Sequence, residues 1–408
     1  MPGAGSGHEH PVLFDVAVIG RGLIGSAAAR HLAEAGQRVV VVGPDEPADW
    51  SSWTGPFASH FDEGRITRVS DRDPVWSEVA RRSIERYPDI EARSGIAFHH
   101  PVGLAISTTD LDTWLDTSRA NGAAVDAVDA DRMAETTGIA LPAGARGAYE
   151  SGPAGFINPR RLVTAQTTLA RRAGASIVAE AATSLRGRAG PDADSGPGLE
   201  IAGPWGSVRA ERVVLATGSF GHHLVGHGLD VVRRPRTVLL AELAPDPDRS
   251  RHLPSLILRD PADRRLSSVY WVPPVAYPDG RTMLKIGGVL QPDPVIGRGP
   301  DPDAEMVAWF HGAGDPVEAD ALRVSLEALL PERPLGATTT VPCVYTGTPT
   351  GYPYLDWFDD GVVVAIGGNG AAAKSSDELG RLAAALVSEG AIGAPPDPAV
   401  FAKVSARV

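Results

Sequence analysis

Cysteine is almost missing from this chain: Cys343 is the only one in 408 residues. No intramolecular disulfide can form, and no cysteine-based metal site can be built. That usage fits a reducing cytoplasm, and no cluster with metal-ligand spacing stands out, so no metal is expected. Long hydrophobic runs are missing as well. Stretches such as Val39 to Val42 and Val362 to Ile366 fall far below the roughly 20 residues of a membrane-spanning helix. Runs of lysine or arginine are also lacking, and the formal net charge is -12, which argues against a surface that tracks nucleic acid or anionic lipid. The stretch Met1 to His10 is Gly-rich and polar and does not read as a signal peptide; a short frayed tail is expected. What remains is a soluble globular composition, 43% apolar and 22% charged, with a small molecule as the expected partner. The length favours two domains, in a monomer or small homo-oligomer.

A βαβ unit opens the chain. Phe14 to Ile19 is a β-branched apolar run that stops at Gly20, Ala27, Ala28, Ala29, Leu32 and Ala35 form a helix, and Val39 to Val42 reads as a second buried strand. Further helices are expected over Pro74 to Arg86, Pro159 to Ala173, Asp303 to Phe310, Glu318 to Leu330 and Asp377 to Ser388. Strand-like runs lie between them, among them Arg212 to Ala216, Thr237 to Glu242, Val269 to Val272 and Thr282 to Ile286. Pro and Gly cluster in Ala189 to Gly198, Pro245 to Pro254 and Gln291 to Asp303, which read as surface loops. The class is α/β with an α+β second domain: a parallel sheet with helices on both faces and a second, more antiparallel sheet.

Gly20-Arg21-Gly22-Leu23-Ile24-Gly25 is G-x-G-x-x-G between a strand and a helix, the context a dinucleotide cradle requires. Its glycines let backbone amides approach a pyrophosphate at a helix N-terminus. The acid expected at the end of the second strand is absent. Gly43 stands there, two residues before Asp45, so Asp45 or backbone groups take the ribose. A second glycine site, Ala216-Thr217-Gly218, lacks the full fingerprint, so one dinucleotide is the simpler account.

The stretches Ser59-His60 through Arg65-Ile66-Thr67-Arg68, Gly155 to Leu162, Tyr270-Trp271-Val272-Pro273, Leu284-Lys285, Cys343-Val344-Tyr345-Thr346 and Gly367-Gly368-Asn369-Gly370 before Lys374 follow in order. With the two glycine sites they resemble, over nearly the whole chain, the amine-oxidising flavoproteins of the D-amino-acid oxidase superfamily, and most of all its monomeric sarcosine oxidase and N-methyltryptophan oxidase branch. The resemblance implies a Rossmann-type FAD-binding domain of residues 11–65, 150–225 and 340–400, interleaved with an antiparallel-sheet substrate domain of 66–149 and 226–339. It implies FAD held by Gly20, Gly22, Leu23, Ile24, Gly25, Asp45, Ser59, Ala216, Gly218, Gly367, Asn369, Gly370 and Lys374, and joined covalently to Cys343. Lys285 is implied as the cation that assists oxygen, Arg65 and His60 as flavin neighbours with a catalytic role, and Arg68 with Lys374 as a clamp on the substrate carboxylate. Tyr270, Phe61 and Val289 are implied in the substrate pocket. Read without the family, Cys343 is a buried inert thiol, Lys285 an exposed strand lysine and Tyr270 a half-buried strand aromatic.

Three departures from the family pattern stand out. Phe61 replaces a histidine, Gly288-Val289 replaces an aromatic–histidine pair, and Ala371-Ala372-Ala373 replaces His-Gly-Phe. They imply a substrate with a bulkier, more apolar body than sarcosine. The expected reaction is oxidation of the C–N bond of an amino acid or secondary amine, with oxygen as second substrate. A cyclic imino-acid oxidase of pipecolate type and a non-catalytic FAD-binding interaction module are the alternatives.

Overall fold

In the computed structural model described here, residues 13–142, 144–187, 198–226, 228–248, 250–393 and 396–406 are described. The tail expected at Met1 to His10 and most of the loop expected at Ala189 to Gly198 lie outside them.

The first sheet holds the opening βαβ unit. Strand Leu13–Ile19 pairs in parallel with Val39–Val42 on one side and Gly206–Leu215 on the other. Val39–Val42 pairs in turn with Ser176–Val178, and Gly206–Leu215 with Val362–Ile366, again in parallel. An antiparallel arm, Ser184–Arg186 and Leu199–Gly203, extends the edge. Helices Leu23–Glu34 and Ser376–Glu389 approach closely because both faces are small: a Cβ on Gly380 would lie 2.5 Å from that of Ala27. Asx–Pro pairs open four helices, at Asp73-Pro74, Asn158-Pro159, Asp301-Pro302 and Asp315-Pro316, each capped by its Asx side chain. Helix Pro74–Ser94 runs past the expected end at Arg86 and through Pro88 to Gly95, whose φ of 77° caps it.

The second sheet orders its strands Leu335–Gly347, Val232–Leu243, Thr282–Leu290, Leu266–Ala276, Ser255–Arg259, Leu104–Ser107, Gly147–Glu150 and Val125–Val128. Only the pairing of Ser255–Arg259 with Leu104–Ser107 is parallel. The mixed α/β architecture is the expected one. The expected boundary at residue 340 cuts strand Leu335–Gly347, which belongs wholly to the second sheet. Helix Pro74–Ser94 packs against the helices of the first sheet, although its residues fall in the expected substrate domain.

Register in the second sheet positions the site. Arg236 lies opposite Cys343, Val238 opposite Gly287, Gly287 opposite Tyr270, and Val289 opposite Ser268. Directly opposed residues share a face and every second residue returns to it. Lys285, Gly287, Val289, Tyr270, Arg236, Cys343 and Tyr345 therefore all leave the sheet on one side.

Candidate active site

The glycine turn is built for close approach. At Gly20, φ is +103° and a Cβ would lie 2.3 Å from the Ala216 carbonyl oxygen; at Gly25 it would lie 1.9 Å from the carbonyl oxygen of Gly20. Gly22 caps helix Leu23–Glu34 without a side-chain bond, so the first-turn amides and the positive end of the dipole are left for a ligand. A cavity of about 1030 Å³ begins there, at the upper end of ligand-pocket sizes. Its wall takes in Gly20, Gly22, Leu23 and Ile24, then Ala216, Gly218, Gly367, Asn369 and Gly370, and ends at Ser59, His60, Phe61, Arg65, Tyr270, Val289 and Cys343. Gly25 sits just behind the turn. Asp45 stands outside this wall and pairs with Arg21, whose guanidinium also donates to the Gly43 carbonyl at 3.2 Å. The position of the missing acid is thus covered by Arg21.

Behind the far end lies a buried ionic knot. Lys285 is fully buried, and its ammonium donates to Asp62 and to the Gly64 carbonyl, the latter at 2.7 Å. Arg65 donates to the same carboxylate at 2.6 Å and to the Ser59 carbonyl at 2.8 Å, and one of its Nη atoms lies 3.9 Å from Cys343 Sγ. Tyr277 donates to Asp62 at 3.3 Å. Burial alone would raise the Asp62 pKa, but Lys285 and Arg65 more than reverse this and hold it at about 2. Burial, then Arg65, lowers Lys285 to about 8, against the pull of Asp62. His60 is lowered to about 3 by burial and by Arg160, Arg21 and Arg65, so it is neutral at pH 7. Tyr270 is pushed up to about 12, chiefly by burial, and keeps its proton.

Arg68 and Lys374 come together, one layer away from this wall. Arg68 pairs with Asp71 at 3.1 Å, and Lys374 reaches the same carboxylate at 3.3 Å and donates to the Trp76 carbonyl at 3.0 Å. Glu150, fully buried and raised by that burial, accepts from the backbone amides of Val69 and Ser70 beside them. Neither cation lines the cavity, and neither does Lys285.

Residues 15–386 match the model of the DAO family, described as FAD dependent oxidoreductase. The chain belongs to this family. Mitochondrial dimethylglycine dehydrogenase from Rattus norvegicus is 29% identical over 215 residues, which is 50% of this chain and 23% of that protein. Monomeric sarcosine oxidase from Streptomyces avermitilis is 28% identical over 176 residues, 40% of this chain and 42% of the relative. The chain thus matches under half the length of these curated relatives. Among solved structures, the open form of NikD, an unusual amino acid oxidase essential for nikkomycin biosynthesis, covers 97% of this chain and 98% of its own at a TM-score of 0.73 and 21% identity. L-proline dehydrogenase from P.horikoshii gives 0.70 at 16% identity, over 96% of this chain and 97% of its own.

The wall fits FAD. Three of its buried polar atoms, Arg21 Nε, His60 Nδ1 and Thr217 Oγ1, have no hydrogen-bond partner among the described residues. Leaving such atoms unpaired costs about 1–3 kcal/mol each, so a polar ligand is accommodated there. Beside the Cys343 end an aromatic cluster packs against the strand that carries it. Phe57 stacks on Phe310 at 4.6 Å, Trp50 meets Phe57 and Phe61 edge-on or tilted, and Trp309 donates to the Cys343 carbonyl at 3.0 Å. Sequence reasoning missed Asp62, Asp71, Arg236 and this cluster. Asp62 could have been found, since it lies between His60 and Arg65 in a stretch already singled out. Arg236 had no local signal, because only the strand register brings it opposite Cys343.

Proposed function

We propose that this flavoenzyme oxidises the C–N bond of an amino acid or secondary amine, an N-methyl or N-alkyl amino acid above all, to an imine. The observation that carries this reading is the single cavity that joins the dinucleotide cradle to Tyr270, Arg65 and Cys343, with the Lys285–Asp62 pair directly behind. FAD supplies the two-electron acceptor there. The chain's own groups hold the charge. Tyr270 and neutral His60 offer a hydroxyl and an imidazole without net charge, while Arg65 and Lys285 place positive charge where reduction of oxygen develops negative charge. Two electrons and two protons then convert oxygen to hydrogen peroxide. Cys343 is the residue we assign to covalent flavin attachment.

Phe61, Val289 and Ala373 make the far end of the wall apolar. Each buried methylene of a larger substrate contributes about 0.8 kcal/mol, so two or three favour it over sarcosine by tenfold or more. The names of the relatives, sarcosine oxidase and dimethylglycine dehydrogenase, support N-methyl amino acids as the class. The test is a panel of N-methyl amino acids, ring imino acids and simple amines, mixed anaerobically with the enzyme while the flavin band is followed, then repeated in air with peroxide measured. Formaldehyde among the products marks N-demethylation, and a ring imine marks a cyclic imino acid. No bleaching by any member of the panel overturns the reading.

A further inference from the structure

One cation on the cavity wall has a role that neither the glycine cradle nor the Lys285 knot absorbs. Arg236, in strand Val232–Leu243, is 6% exposed and lines the cavity beside Cys343, its cross-strand partner. Its guanidinium sits over the Tyr345 ring at 4.8 Å from the centroid. Nη2 reaches the Tyr345 hydroxyl at 3.2 Å, Nη1 donates to the Pro235 carbonyl at 2.7 Å, and Nη1 pairs with Asp293 at 2.8 Å. Asp293 is shared with Arg234 at 3.0 Å. Glu318, which accepts from the Thr237 amide at 2.6 Å, is a further electrostatic neighbour of Arg236. Stacking and tethering fix the plane of the guanidinium before any ligand arrives. Among the described residues nothing accepts from its Nε. Tyr270, whose hydroxyl folds into the space a Gly287 side chain would fill, has both Arg65 and Arg236 as electrostatic neighbours.

The other cations are less suited to a ligand in this cavity. Arg65 is ion-paired with Asp62 as Arg236 is with Asp293, but among the described residues no aromatic ring holds the plane of its guanidinium as Tyr345 holds that of Arg236. Arg68 and Lys374 share Asp71, stand next to Glu150 and do not reach the wall. We infer that Arg236, held flat on Tyr345, seats the carboxylate of the substrate. The inference rests on the reading of this enzyme as an amino-acid oxidase. A planar guanidinium offers paired N–H donors to a carboxylate, and pre-ordering reduces the side-chain entropy lost on binding.

The experiment uses the flavin-loaded enzyme, with benzoate as the anionic probe and benzyl alcohol as its neutral counterpart. Binding is read from the perturbed flavin absorption band and by calorimetry, without turnover. Wild type is expected to prefer benzoate. In Arg236→Gln benzoate affinity falls about 10- to 100-fold, the range for a lost hydrogen bond to a charged group, while benzyl alcohol binds as before. Arg236→Lys recovers part of the preference, since a point charge remains without the fork. Arg68→Gln keeps the preference. The inference is overturned if wild type shows no preference for benzoate, if Arg236→Gln retains it, if both probes weaken together in Arg236→Gln, or if Arg68→Gln alone abolishes it. An Arg236-dependent preference in an enzyme whose flavin no amine reduces would leave the anion site standing and remove the oxidase reading instead.

Discussion

Replacing Asp62 by asparagine separates the charge of Lys285 from its position. Lys285 is buried, so its charged form is disfavoured, and it is cationic below about 8 and neutral above. Asp62 touches both Lys285 and Arg65 and opposes that penalty. Two opposite charges at a hydrogen-bond distance of about 2.8 Å attract by about 6 kcal/mol at an effective dielectric of about 20. Shared between two cations and partly replaced by the asparagine oxygen, about half of this bears on Lys285, or about two pKa units. The midpoint should therefore fall from about 8 to about 6, so that at neutral pH roughly a tenth of the molecules keep the cation. The assay is rapid mixing of photoreduced enzyme with oxygenated buffer across this range, following recovery of the flavin band. Wild type should reoxidise at a constant rate up to about 8 and more slowly above. Asp62→Asn should begin to slow about two units lower, and Lys285→Met should be slow throughout by about 100- to 1000-fold. An unshifted midpoint in Asp62→Asn, or a wild-type rate that does not fall above 8, refutes the reasoning.

Three other outcomes are expected. Acid precipitation of wild type should leave a yellow pellet and of Cys343→Ala a colourless one; flavin released wholly into the supernatant from wild type would rule out attachment. Gly20→Ala should yield colourless protein on purification, because its Cβ would sit 2.3 Å from the Ala216 oxygen at a φ of +103°; normal flavin content would show that the turn can shift. Asp377 is buried and accepts from Arg30 at 2.7 Å, Arg86 at 2.5 Å and Gln166 at 2.8 Å. Asp377→Ala should cost about 3 kcal/mol in urea unfolding, since it removes the buried carboxylate that Arg30 and Arg86 share, and a loss below about 1 kcal/mol would mean that Glu34 and Glu378 suffice to hold the two cations.

The opening βαβ unit and the glycine cradle were legible in the sequence because each is local: a run of apolar residues, and a turn that needs positive φ. The resemblance of ordered motifs carried the family and its flavin. Gly43 showed that an acid was missing, but only the fold shows Arg21 lying over that position with Asp45 as its counterion. Lys285 reads in sequence as an exposed strand lysine, and it is buried because Asp62, 223 positions away, meets its ammonium. The same holds for Arg68 and Lys374, which the resemblance names as a clamp on the substrate carboxylate and the fold joins through Asp71. Arg236 and Cys343 are likewise distant in sequence and become neighbours through strand register. Local patterns are written in the spacing of adjacent residues, whereas the protonation and reach of a charged group depend on what the rest of the chain packs around it, and that is decided only when the sheets close over the cavity.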